Sequence, residues 1–191
     1  MSAARPTVIV LAAGLGRRYR TSGGATHKLQ ALLDGVPVLE HVLRSVRASG
    51  LPWHIVQPLP GVLAEGQGMG DSLARGVRAT VNAPGWLVLP GDLPLVQPDT
   101  LCQVAQALQQ QPVAQAHCQG QPGHPVGFAA ACRTELMALH GDQGAASVQR
   151  AYRARGQWQA VEVGDAGIHT DIDTVQDLAR AQAALQQMRT T

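Results

Sequence analysis

The stretch LAAGLGRRYRTSGGATHKL at 11–29 follows a β-branched apolar run and combines Gly14 and Gly16 with Arg17, Arg18, Arg20 and Lys28. Glycines let backbone N–H groups approach an anion without a Cβ in the way, and the cations offset its charge. This composition reads as a phosphate site, with a surface turn bearing solvated arginines as the plain alternative. Two familiar loops are excluded: Tyr19 stands where G-x-G-x-x-G needs its third glycine, and Lys28, between His27 and Leu29, completes no P-loop. Asp92 in LVLPGDLPLV closes another apolar run. A carboxylate at the end of a buried strand is where an open α/β sheet presents ligand groups, and it suits a hard cation such as Mg²⁺. The DID at 171–173 offers a second ligand from either Asp171 or Asp173, unless both only favour the dipole of the helix that follows.

A fourth candidate is GQGMGDSLARG at 66–76, glycines leading into a helix that Asp71 or Ser72 can cap. Such a helix start could hold a phosphate or a base edge. The string also contains GDSL, the nucleophile motif of a hydrolase family, which would need partners such as Asp165 and His169. Those two lie four apart, and Ser72 is mid-chain instead of just after the first strand, so the context is wrong. The seven histidines show no metal spacing, and His41 and His117 read as structural. His124, in GQPGHPVGF, marks a shaped start to a strand or an ordinary turn.

The elements that must position these groups alternate along the chain. Apolar runs predict strands at 7–13, 54–58, 86–92, 112–118, 124–131 and 158–163. Helical spacing predicts helices over 38–49, from 71 or 72 to 81, around 101–108, over 133–140 and 145–155, and from Thr174 to about Met188. Thr174 with Asp177 three residues on forms a capping box for the last of these. Alternation of this kind predicts a three-layer α/β fold with a mainly parallel sheet and its ligand beyond the carboxyl ends of the strands.

With 191 residues, 45% apolar and 15% charged, the chain is expected to fold as a single domain over 1–191 with its own core. A net charge of +2 and 3% aromatics give neither a basic face nor a stacking platform, so no nucleic-acid partner is expected. Arg5, the run VIVLAAGLG and Arg17-Arg18 superficially resemble a signal segment, but no small-residue cleavage site follows and the run is too short to span a bilayer. It is expected to be a buried strand, with no membrane partner. Cys102, Cys118 and Cys132 are odd in number and lack C-x-x-C spacing, which fits a reducing cytoplasm.

Taken in order, LAAGLGRR with the following Lys28, then GMGDSLARG, PGDLPLV, GHPVGF, GDQGA at 141–145 and DIDTVQDL at 171–178 resemble the molybdopterin cytidylyltransferase family. These are small nucleotidyltransferases that act on the molybdenum cofactor, and the likeness spans nearly the whole chain. It implies a Rossmann-like nucleotidyltransferase fold binding CTP over Leu11, Ala12, Ala13, Gly14, Gly16, Arg18 and Lys28, with Gly68, Met69, Gly70 and Ser72 completing the nucleotide site. It further implies catalytic roles for Arg18, Lys28 and Asp92, Mg²⁺ held by Asp92 and Asp173, and acceptor contacts from His124, Pro125 and Asp142. The implied reaction transfers CMP to the phosphate of molybdopterin and expels pyrophosphate, for delivery to a molybdoenzyme or its chaperone. Guanylyl transfer from GTP, transfer to another small phosphate acceptor, and a catalytically weak carrier are the alternatives. Three departures stand out: Tyr19-Arg20 and TSGGATH lengthen the first loop, the region 51–70 is shorter than usual, which could alter base recognition or leave a sheet edge open, and Ala146 replaces a frequent arginine.

Overall fold

The computed structural model describes residues 5–59 and 68–190. The β-branched run at the start forms β1 (Thr7–Leu11), whose alternate side chains are all inward because the strand is covered on both faces. It is followed by α1 (Arg17–Thr21), β2 (Leu32–Leu33), β3 (Val36–Pro37), α2 (Val38–Ala48), β4 (Trp53–Val56) and α3 (Met69–Ala79). Then come β5 (Gly85–Pro90), α4 (Pro98–Ala107), β6 (Val113–Cys118), β7 (Gln121–Ala129), α5 (Arg133–Met137), α6 (Ala146–Ala154), β8 (Trp158–Glu162) and α7 (Val175–Thr190).

The main sheet has the order β4-β1-β5-β7-β6-β8, with β7 alone running against its neighbours. Val8, Val10, Leu87 and Leu89 pack beneath Val42 and Val46 of α2 and Leu101 and Val104 of α4. Ile9, Trp86, Val88 and Phe128 face the opposite way, against Leu73 and Val77 of α3, Leu136 of α5 and Tyr152 of α6. The period-two alternation of the strands thus divides the apolar residues between two helical layers, which is the three-layer, mainly parallel α/β arrangement expected. A third cluster ties Tyr19, Leu29, Leu33 and Ile172 to α7 through Ala181.

Several boundaries differ from expectation. The first strand stops at Leu11, where its ladder with β5 ends opposite Pro90. The seventh starts at Gln121, not His124, because Gln119 and Gly120 both take positive φ and make a tight two-residue hairpin with β6. Asp34-Gly35 does the same for the unpredicted ribbon β2–β3. Helix α3 starts at Met69 with Gly68 as its cap, so neither Asp71 nor Ser72 is the cap residue. Among the described residues β4 pairs only with β1 and stands at the edge of the sheet, the second of the two consequences weighed for the short 51–70 region. The Arg47 guanidinium lies 5.7 Å from the Trp53 ring there, and Arg153 lies 4.3 Å from Trp158 on the opposite edge strand.

Helix α3 reaches the sheet through Gly76, where an added Cβ would stand 2.8 Å from Ile9 Cγ2 and 2.9 Å from Val56 Cγ2. Gly76→Val is therefore expected to destabilise the fold by about 1–3 kcal/mol through overpacking, seen as a lower midpoint in denaturant unfolding. An unchanged midpoint would show that α3 can ride away from the sheet at no cost.

Candidate active site

At the carboxyl ends of β1 and β5 a cleft of about 850 Å³ opens between the first loop, α3 and the segment before α7. Its centre is an ion cluster. Lys28 Nζ donates to Asp92 Oδ2 at 2.5 Å and to Asp173 Oδ1 at 2.7 Å, and Arg18 donates to Asp173 Oδ2 at 2.6 Å. Backbone register explains how residues so far apart in sequence meet. Gly91 N–H donates to Leu11 O, which fixes the β5 end beside the first loop, and Ile172 N–H donates to Asp92 O. Ile172 is fully buried in the third cluster, so its neighbours project away from that anchor. Asp173 meets Lys28, whereas Asp171 is exposed and borders a separate hollow near His169 and Arg180. The choice left open by the sequence is resolved geometrically: Asp173 shares the cleft with Asp92.

Burial alone would lower the Lys28 ammonium, but the two carboxylates outweigh it and hold the group above the ordinary lysine value. The stabilisation that the raised Lys28 value represents is therefore fully present at neutral pH and is lost as pH rises through that value. Arg18 is 80% exposed, so its link to Asp173 contributes little to stability and leaves the guanidinium free to reach a ligand. Asp92 Oδ1 is buried without a hydrogen-bond partner. Two hard carboxylates with one orphaned oxygen fit a divalent cation such as Mg²⁺ that takes its remaining ligands from phosphate and water. Among the described residues no third acidic, histidine or cysteine side chain completes a protein-only metal cage.

The far wall is built by an interlock of two glycine-bearing segments. Asp71 Oδ2 accepts from Gly68 N–H and from Gly141 N–H, both at 2.9 Å, and Gly70 N–H donates to Gly141 O. A Cβ on Gly68 would lie 1.9 Å from the Gly141 carbonyl, and one on Gly70 would lie 2.5 Å from Gln143 O. Only glycine permits the 140–143 turn to sit on the start of α3, which places Met69, Ser72 and Asp142 in one cleft.

The structure places Leu11, Ala13, Gly14, Gly16, Arg18, Lys28, Gly68, Met69, Ser72, Asp92, Asp142 and Asp173 on this cleft. Ala12 is instead packed inward with the third cluster, and Gly70 serves the interlock. His124 and Pro125 lie in β7 outside the lining residues, although Asp92 acts on His124 electrostatically. Burial lowers the His124 imidazole below its ordinary value despite Asp92, so the ring is neutral at pH 7 and charging it opposes folding increasingly as pH falls. Arg17, one of the loop cations of the candidate phosphate site, lines the cleft as well, and so do Leu15, Tyr19, Leu29, Pro90 and Gly141, which had not been singled out. The hydrolase alternative finds no support, since both Asp165 oxygens are taken by Gln97 N–H, Thr100 Oγ1 and Gly167 N–H, while His169 pairs with Gln121 O.

The sequence profile of the MobA-like NTP transferase domain matches residues 8–157, a span that takes in the first loop, α3 and Asp92. The chain belongs to that family. Members of the MobA-like family transfer nucleotidyl groups, and the cleft has the cations and carboxylates for phosphate chemistry. A nucleotidyl transferase from Methanothermobacter thermautotroptrophicus has the same fold, with a TM-score of 0.80 and 22% identity over 98% of this chain and 99% of that one. Molybdopterin-guanine dinucleotide biosynthesis protein A from Archaeoglobus fulgidus is similar at a TM-score of 0.60 and 16% identity, covering 95% and 99% of the two chains. A Mycobacterium tuberculosis protein, Rv0371C, solved with manganese, gives 0.64 and 20% over 95% and 100%. In sequence, the bifunctional protein GlmU of Alkalilimnicola ehrlichii is 33% identical over 115 residues, which is half of this chain and 23% of that relative. The chain thus spans less than a quarter of the curated relative that it matches. No helix among the described residues is long and apolar enough to cross a membrane.

Asp71→Ala leaves two amides without their acceptor and is expected to cost about 1–3 kcal/mol. Hydrogen exchange at the Gly141 amide should quicken at the same time. Wild-type exchange there would mean that Asp71 does not hold the two segments together.

Proposed function

We propose that this MobA-like transferase domain spans 1–191 as one unit and is a cytoplasmic, Mg²⁺-dependent enzyme that transfers CMP from CTP to the phosphate of molybdopterin, releasing pyrophosphate. The observation that carries the chemistry is the Lys28–Asp92–Asp173 cluster with its orphaned Asp92 Oδ1 at the mouth of a glycine loop. Support for the acceptor comes from the GMGDSL and GHPVGF motifs of the family resemblance and from the cofactor named for the Archaeoglobus fulgidus protein. That name also includes guanine, which makes guanylyl transfer the second reading.

The acceptor phosphate oxygen attacks the α-phosphorus of CTP as the bond to the pyrophosphate oxygen breaks in line. Such a step needs little covalent help; it needs two anions aligned and their charge offset. Arg18 and Lys28 supply positive charge to the triphosphate, and Lys28 exchanges its carboxylate partners for phosphate oxygens as the substrate arrives. Asp92 and Asp173 would hold Mg²⁺, which when bound stabilises charge on the phosphate oxygens as a Lewis acid. Gly14 and Gly16 keep the loop backbone close to the phosphates, while Gly68, Met69 and Ser72 bound the nucleoside. Met69, 56% exposed, offers an apolar surface to the base. Asp142 and the neutral His124 orient the acceptor, with Pro125 shaping the strand behind them.

Three measurements test this reading. CTP with Mg²⁺ should raise the melting temperature more than GTP, ATP or UTP does, since a ligand that binds only the native state stabilises it. Selectivity for GTP would move the assignment to guanylyl transfer. Asp92→Asn should lower pyrophosphate release by at least about a hundredfold, the scale of one lost transition-state charge contact; full turnover would remove Asp92 from the chemistry. Lys28→Met should weaken CTP binding yet strengthen binding of Mn²⁺ to the nucleotide-free protein, because both carboxylates lose the ammonium that lies between them. Weaker binding of both would show that Lys28 does not compete with the metal.

A further inference from the structure

His27 precedes Lys28 and uses both ring nitrogens. Nδ1 accepts the Leu29 N–H at 3.3 Å, and Nε2 lies 2.8 Å from the Gly14 carbonyl oxygen. A nitrogen that accepts carries no hydrogen, and a nitrogen facing a carbonyl must donate, so only the neutral Nε2–H tautomer satisfies both contacts. Gly16 lies beside the ring, where a Cβ would stand 3.2 Å from His27 Nε2 and crowd it. The Gly14–Leu15 peptide is trans, so the Leu15 N–H points opposite to the carbonyl that His27 holds. Leu15 lines the cleft, and its N–H meets no acceptor among the described residues.

We propose that His27 is a positioning residue that turns the Gly14–Leu15 peptide so that the Leu15 N–H, not the Gly14 carbonyl oxygen, faces the phosphates of the nucleoside triphosphate. The proposal rests on the nucleotide reading of this cleft. A flipped peptide would set a partially negative oxygen against an anion, whereas the held peptide offers a donor that is already oriented. His27 sits in the turn that also carries Lys28, so one short segment sets both the main-chain donor and the ammonium. A ring that merely capped this turn through Leu29 would leave the Gly14 contact without consequence.

Conservative variants separate the two roles. The Gln amide nitrogen reaches about where Nε2 sits and retains the donor to Gly14, while the Asn oxygen sits near Nδ1 and retains the acceptor for Leu29. With CTP and Mg²⁺ in calorimetric titration, His27→Gln should bind within about twofold of wild type, and His27→Asn and His27→Ala about tenfold more weakly, the scale of one hydrogen bond. Exchange at the Leu29 amide should quicken in His27→Gln and stay slow in His27→Asn, which reports the cap separately. Equal loss in both variants, wild-type affinity in His27→Asn, or no loss in any variant overturns the proposal. If His27→Gln does not fold, wild-type affinity in His27→Asn still overturns it and a tenfold loss still supports it. Failure of the wild-type protein to bind CTP or GTP overturns the nucleotide reading, and the role of His27 falls with it.

Discussion

Two carboxylates brought into one cleft repel each other, and the Lys28 ammonium between Asp92 and Asp173 is the interaction around which the cleft is organised. Its side chain is 13% exposed, so water screens the charges poorly and an unpaired member of the set would be costly. The three residues come from the first loop, the end of β5 and the segment before α7. They meet because β1 lies beside β5 and because the Ile172 amide is bonded to the Asp92 carbonyl. The core therefore serves the charges directly: Ile172 is both an apolar anchor and the register mark that brings Asp173 inward. On the reading proposed for this cleft, a bound cation and Lys28 would compete for the same oxygens until phosphate gave the ammonium another partner.

On the opposite wall the constraint is space instead of charge. The backbone around Gly141 occupies the volume that a Cβ on Gly68 would need, and Asp71 fastens the two segments by accepting an amide from each. GMGD and GDQG are thus complementary halves of one structure, which explains why neither is informative alone. The acidic side chain that the sequence offers as a possible cap is used as a bridge, and the cap position falls to a glycine.

The fold was largely legible because its strands are β-branched runs and its helices amphipathic, each signal being local. Asp92 was legible for the same reason, as a carboxylate that ends a buried strand. The capping box of Thr174 and Asp177 is present with both amides satisfied. What escaped was either a turn whose signal is two residues long, as at Asp34-Gly35 and Gln119-Gly120, or a relation through space. Nothing local distinguishes Asp171 from Asp173; the difference is through space, since Asp173 meets Lys28 and Arg18 while Asp171 is exposed. Ala12 and Gly70 lie within motifs facing the cleft, yet their own positions turn toward packing. The two contacts of His27 depend on ring nitrogens meeting main-chain groups on either side, a pairing that no spacing pattern announces.

The lengthened first loop is one of the features that set this sequence apart from the pattern it resembles, and its packing shows how the extra residues are accommodated. Residues 17–21 form a helical turn that buries Tyr19, and Gly24 lies against that ring so closely that a Cβ would stand 2.2 Å from it. Ser22 Oγ then accepts the Val175 amide at the start of α7, two residues beyond Asp173. The added residues are therefore packed through Tyr19 and Gly24 and fastened by Ser22 to the helix that follows Asp173. An insertion held in this way lengthens the path from Gly16 to Lys28 without loosening where Lys28 arrives, because His27 ties the end of the detour back to Gly14 where it began. The loop closes on itself around the cleft, and the ammonium is delivered by packing instead of by sequence spacing.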